Sequence, residues 1–103
     1  WPFKIAPFKI NIIALEELID NEEIKKLYLS LLKKYKDIIF DDRAISIGKK
    51  IKDSELIGIP WTIIAGKNFK EFNKLELVNR SNNQSITLSV SDLEKFDYEK
   101  NFY

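Results

Sequence analysis

The stretch FDDRAISIGKKIKDSELIGIP, residues 40–60, decides how this chain is read. An apolar run ends in two aspartates and Arg43. Gly48 and a pair of lysines follow, then Asp53 and Glu55, and Gly58-Ile59-Pro60 closes the stretch. Lysine and arginine supply donors for phosphates and base edges, and carboxylates supply acceptors for base N–H groups. The stretch therefore reads as a recognition surface. Its local pattern is strand, loop, helix, strand. Asp37–Asp41 forms a short strand, Ile47–Ile57 a helix that Gly58 ends with Pro60 beyond it, and Ile59–Ala65 a further strand.

Working outward, Phe8–Leu15 is a nearly continuous apolar run, the pattern of a buried parallel strand. Glu22–Lys36 carries Ile24, Leu27, Tyr28, Leu31, Leu32 and Tyr35 at helical spacing, with lysines and glutamates opposite. Asn21 or Asp20 is placed to cap it. Beyond residue 65, Gly66-Lys67-Asn68 ends the strand. Leu75–Asn79 and Ser85–Val90 read as two more strands about the polar turn 80–84. Ser91-Asp92-Leu93-Glu94 matches a capping box for a last helix anchored by Leu93 and Phe96. YEKNFY, 98–103, reads as a frayed end, and residues 1–7, with two prolines, as a linker.

This gives the order β-α-β-α-β-β-β-α, an α/β domain with three helices. Strands joined by helices are parallel with right-handed crossovers. A strand order 2-1-3 places a switch point between the first and third strands, where open α/β sheets bind ligands outside the carboxyl ends of their strands. Leu15-Glu16, Asp42-Arg43 and Gly66-Lys67 leave those ends.

Composition narrows the chemistry. With 103 residues, 45% hydrophobic and 32% charged, the chain suits one globular domain spanning 1–103. It has no cysteine and no histidine, which argues against a disulfide scaffold, thiolate catalysis, a hydrolase triad or a zinc site. No apolar run is long enough to span a bilayer. The net charge is +1, but residues 43–74 hold seven Lys/Arg against three acids, a basic centre between acidic ends. A polyanion footprint and a solvated lysine-rich surface both fit that distribution.

The single residues divide in the same way. Arg43 either pairs with Asp41 or Asp42 or offers its planar fork to a ligand. Gly48-Lys49-Lys50 lacks the rest of a phosphate loop, so nucleoside triphosphate binding is disfavoured. Asp53 and Glu55, two apart on a helix, point away from each other, and no nucleophile accompanies them, so no catalytic residue is assigned. Trp61 reads as a core aromatic.

The chain resembles the C-terminal anticodon-binding domain of bacterial-type prolyl-tRNA synthetase, a class II aminoacyl-tRNA synthetase. The resemblance rests on WPFKIAPF at 1–8, on Leu27, Tyr28 and Leu31, on FDDR at 40–43, and on Gly48. DSELIGIP at 53–60, followed by Thr62, Ile63 and Gly66, completes it. Ala44-Ile45-Ser46-Ile47 stands where the family commonly has a charged stretch ending in proline, and Lys67-Asn68 where it often has Asp-Arg. The resemblance implies a three-layer α/β/α domain whose five-stranded mixed sheet has the order 2-1-3-4-5, with strand 4 antiparallel. It also implies tRNA anticodon binding, for which Arg43, Lys49 and Lys67, at the strand ends and the loop-to-helix junction, and the carboxylates Asp53 and Glu55 are the expected contacts. Every proline anticodon carries two guanines, whose reading needs a cation and a carboxylate. Of the two carboxylates, Glu55 is expected to read a base and Asp53 to cap or brace the loop. No cofactor or metal is implied in the domain. The parent enzyme is implied to ligate proline to its tRNA with ATP and Mg²⁺, to carry its catalytic domain in the same chain, to be a homodimer, and to be cytoplasmic, with no membrane or DNA partner. The alternatives are the equivalent domain of another class II synthetase, a protein-interaction module of the same fold, and a small flavodoxin-like enzyme.

Overall fold

Five strands form one sheet in the order β2-β1-β3-β4-β5. A computed structural model describes residues 8–43, 45–80 and 82–98. The strands are β1 (Ile10–Ala14), β2 (Ile38–Asp41), β3 (Trp61–Ala65), β4 (Lys74–Asn79) and β5 (Gln84–Ser89). β1 pairs in parallel with β2 and β3, whereas β4 is antiparallel to both β3 and β5. The implied strand order and the antiparallel fourth strand are both present.

Strand alternation sorts β1 to two faces. Ile10, Ile12 and Ala14 enter the main core with Ile24, Leu27 and Leu31 of α1 (Glu22–Tyr35) and Leu93 of α4 (Val90–Lys95). Asn11 and Ile13 face the opposite side, where α2 (Ile47–Ile57) lies. The helix starts and stops follow local chemistry. Asn21 Oδ1 accepts from the amides of Glu23 (2.9 Å) and Ile24 (3.3 Å), capping α1. Ser46 Oγ accepts from the Lys49 amide at 3.3 Å, capping α2. Gly58 ends α2 with φ 78°, a left-handed conformation that suits glycine.

Three expectations need correction. Among the described residues there are four α-helices and not three, with a 3₁₀ turn at Glu16–Leu18. The additional helix, α3 (Lys67–Phe72), begins directly at Lys67 and is anchored by buried Phe69. Six residues with one apolar anchor give no readable period. The last helix is capped by Ser89 and not Ser91, since Ser89 Oγ accepts from the Asp92 amide at 3.3 Å. Tyr98 is not frayed: it is fully buried, and its hydroxyl donates to the Leu93 carbonyl at 2.8 Å. Burial pushes its phenol pKa well up, with Tyr35 adding to the shift. Trp61 donates from its indole nitrogen to the Tyr98 carbonyl at 2.8 Å, which confirms it as a core aromatic. The expected linker 1–7 and residues 99–103 lie outside the described residues.

Candidate nucleic-acid interface

Three parallel strands deliver their carboxyl ends to one edge of the sheet, as the strand order requires. Lys50 ties that edge together. It is fully buried, and its ammonium donates to the main-chain oxygens of Ala14 (3.2 Å) and Asp41 (3.1 Å), the last residues of β1 and β2. On the other side of β1, the Leu15 amide donates to the Ala65 carbonyl at 3.1 Å. In the sequence Lys50 stands among the lysines of the basic centre. Nothing in a G-K-K triplet distinguishes the inward lysine from the outward one until the helix phase is fixed.

Arg43 leaves β2 and is held by carboxylates. Its Nε and Nη2 donate to the two oxygens of Asp41 at 2.8 and 2.7 Å, and Nη2 also donates to Asp53 Oδ2 at 3.0 Å. Of the two candidate partners, Asp41 takes the pair, and exposed Asp42 does not. The Arg43 hydrogen bonds hold the Asp41 carboxyl below its usual pKa against the opposing effect of burial, with nearby Lys50 adding a smaller pull. The same carboxylates raise the Arg43 pKa further. The guanidinium remains half-exposed, with Nη1 outside these bonds.

The remaining expected residues are placed separately. Lys49 is exposed on the first turn of α2, and Lys67 opens α3 beside Gly66, Asn68 and Glu76. Glu55 is exposed on the flank of α2 that faces β3 and β4, bordering a small recess with Ile51, Thr62, Arg80 and Asn83. Asp53 lies on the opposite flank, with Arg43. The structure thus brings Arg43 and Asp53 together and puts Glu55 elsewhere, as expected for residues two apart on a helix. It does not gather Arg43, Lys67 and both carboxylates in one crevice. β2 and β3 stand two strand spacings apart, about 10 Å.

Arg80, which no motif or periodicity marks in the sequence, also lies here. Its Nη1 donates to Asn83 Oδ1 at 3.1 Å and its Nη2 to the Glu55 carbonyl at 3.5 Å. The antiparallel β4 causes this, because it pairs Asn79 with Trp61 and so returns the chain to the end of α2. The signal for it in the sequence is the turn at 80–84, which fixes where β4 ends beside β3.

The family described as "Anticodon binding domain" matches residues 4–97. Among curated relatives, the proline–tRNA ligase of Persephonella marina is 37% identical over 100 residues, covering 93% of this chain and 17% of that protein. The proline–tRNA ligase of Nitratiruptor sp. is 40% identical over 103 residues, covering 97% and 18%. The solved prolyl-tRNA synthetase of Cryptosporidium parvum, complexed with halofuginone and AMPPNP, superposes with a TM-score of 0.72. It is 28% identical and is covered over 20% of its length by 90% of this chain. This chain therefore spans under a fifth of the length of the curated relatives it matches. With a family match over most of its length, the chain belongs to the anticodon-binding domain family.

Proposed function

We propose that this chain is a single domain that reads the anticodon of proline tRNA within a longer proline–tRNA ligase. The observation that carries the reading is the similarity, over nearly the whole chain, to proline–tRNA ligases at 37–40% identity. In this reading the longer protein ligates proline to its tRNA with ATP and Mg²⁺ in a separate catalytic domain, acts as a homodimer and is cytoplasmic. Among the described residues there is no cluster of carboxylates suited to a metal, and no helix is long and apolar enough to cross a membrane. In this reading the ATP and Mg²⁺ chemistry belongs to the catalytic part of the longer protein.

The geometry supports a division of labour. Glu55 carries an exposed carboxylate next to the Arg80 recess, suited to accept from guanine N1–H and N2–H. Lys49 and Lys67 offer charges that no carboxylate meets among the described residues, and they take phosphates. Arg43 presents Nη1 to the anticodon loop while Asp41 and Asp53 hold the rest of its fork, so Asp53 braces and Glu55 reads. RNA recognition of this kind works on splayed, single-stranded bases.

The test is a salt titration with a proline anticodon stem-loop. Each of Lys49→Ala and Lys67→Ala should flatten the slope of log K against log salt by roughly 0.7. Unchanged slopes in both variants would place the RNA elsewhere.

A further inference from the structure

α2 carries Lys49, Asp53 and Glu55, yet apolar burial does little to seat it on the sheet. Of its eleven residues only Lys50 and Ser54 are buried. Ile47 and Ile51 are half-buried, and Leu56 and Ile57 are exposed. α1 differs, since it sinks Ile24, Leu27 and Leu31 into the main core. The floor beneath α2 has Ile13 for apolar ground, but two residues along the strand lies buried Asn11, whose Oδ1 meets no donor among the described residues.

Lys50 and Ser54 stand four apart on the helix and so face the sheet together. Between them they reach all three parallel strands. The Lys50 ammonium donates to Ala14 of β1 and Asp41 of β2, and Ser54 Oγ lies 3.1 Å from the Thr62 hydroxyl of β3. Apolar contact is non-directional and lets a helix slide or roll. Hydrogen bonds have a preferred length and angle, so these fix the roll of α2 about its own axis. Single buried polar residues set helix register in the same way in coiled coils.

The roll decides which group faces what. Asp53 and Glu55 flank Ser54 by one residue each, about 100° to either side of it. With Ser54 on the sheet, Asp53 comes to Arg43 and Glu55 to the recess of Arg80. Rolling α2 would carry one carboxylate toward the sheet and the other away from it. The bond to Asp41 also fixes the strand end from which Arg43 leaves.

We propose that Lys50 is a positioning residue for anticodon recognition. It touches no RNA itself, and it acts by fixing the roll of α2 and so the placement of Glu55 and Asp53. The role rests on the anticodon reading proposed above.

The test sets Lys50→Met beside Tyr98→Phe, a core change on the other face of the sheet that also loses a buried hydrogen bond. Affinities for G-G and A-A anticodon stem-loops are measured where each variant is folded. Lys50→Met should lower the preference for G-G about tenfold, and its loss should overlap with that of Glu55→Gln, so that the double variant falls short of the sum. Its slope of log K against log salt should match that of the unaltered chain, because a buried lysine meets no phosphate. Tyr98→Phe should keep both preference and slope. Hydrogen exchange needs no RNA: Lys50→Met should speed exchange of the α2 amides about tenfold more than that of the α1 amides. An unchanged preference in Lys50→Met overturns the proposal, as does equal acceleration of the two helices. A flattened slope would make Lys50 an RNA contact, and an equal loss in Tyr98→Phe would make the effect general destabilisation; either overturns it. Loss of preference in Glu55→Gln but not in Lys50→Met keeps the anticodon reading and removes this role, whereas an unaltered chain with no preference for G-G removes both. Should Lys50→Met fail to fold, Ser54→Ala, which loses only the contact to Thr62, takes its place with the same expected pattern.

Discussion

The Lys50 ammonium sits 3.1 Å from the main-chain oxygen of Asp41, where β2 hands over to the loop bearing Arg43. Its second bond, to Ala14, spans to the neighbouring strand. A buried cation on two carbonyls fixes the edge of the sheet from which the candidate interface is built. Replacing it with a side chain of similar length removes both donors and strands both acceptors. Relief of the buried charge offsets part of that loss. Lys50→Met should therefore lose about 1–3 kcal/mol, read from the midpoint of urea unfolding.

Asp41 gives a pH signature. Its folded pKa lies below the ordinary 3.8, chiefly through the Arg43 hydrogen bonds. A carboxyl depressed on folding stabilises above its unfolded pKa, and that contribution disappears as pH falls through the lower folded value. Asp41→Asn should thus be less stable than the unaltered chain at neutral pH. The gap should close as pH drops below 3.8. A gap that stays constant down the acid limb would mean that the Arg43 clamp contributes no linked stability.

Tyr98 locks the last described turn onto the core, with Tyr35 and Trp61 rings edge-on to it at 5.4 and 5.8 Å. Tyr98→Phe keeps the ring and loses the hydroxyl bond to Leu93, so it should cost about 1 kcal/mol. Tyr98→Ala should cost about 3–5 kcal/mol. Thermal unfolding of the two variants side by side checks the order.

Much of this fold is legible in the sequence because its signals are periodic. α1 shows six apolar positions at helical spacing, and β1 shows an apolar run broken only by Asn11. α2 ends where Gly58 and Pro60 say it should. What escaped has a physical reason in each case. α3 is too short to show a period, and its anchor, Phe69, looks like any isolated aromatic. Lys50 reads as one surface lysine among several, since burial of a cation depends on carbonyls from two distant strands. Arg43 and Asp53 are ten residues apart, and their bond needs the loop and the helix to be in place together. Arg80 and Asn11 come into view only through strand pairing, from β4 and β1. The separation of Asp53 from Glu55, by contrast, follows from helix geometry alone.

That separation carries the central claim, that Glu55 reads a guanine while Asp53 braces Arg43. The direct measurement is the affinity of Glu55→Gln and Asp53→Asn for two anticodon stem-loops, one with G-G at the second and third anticodon positions and one with A-A. Glu55→Gln should lose about 1–3 kcal/mol against the G-G stem-loop alone, on the scale of a base-edge contact. Asp53→Asn should keep the preference and lose stability instead. If Glu55→Gln keeps the full preference for G-G, the carboxylate on this flank of α2 does not read guanine.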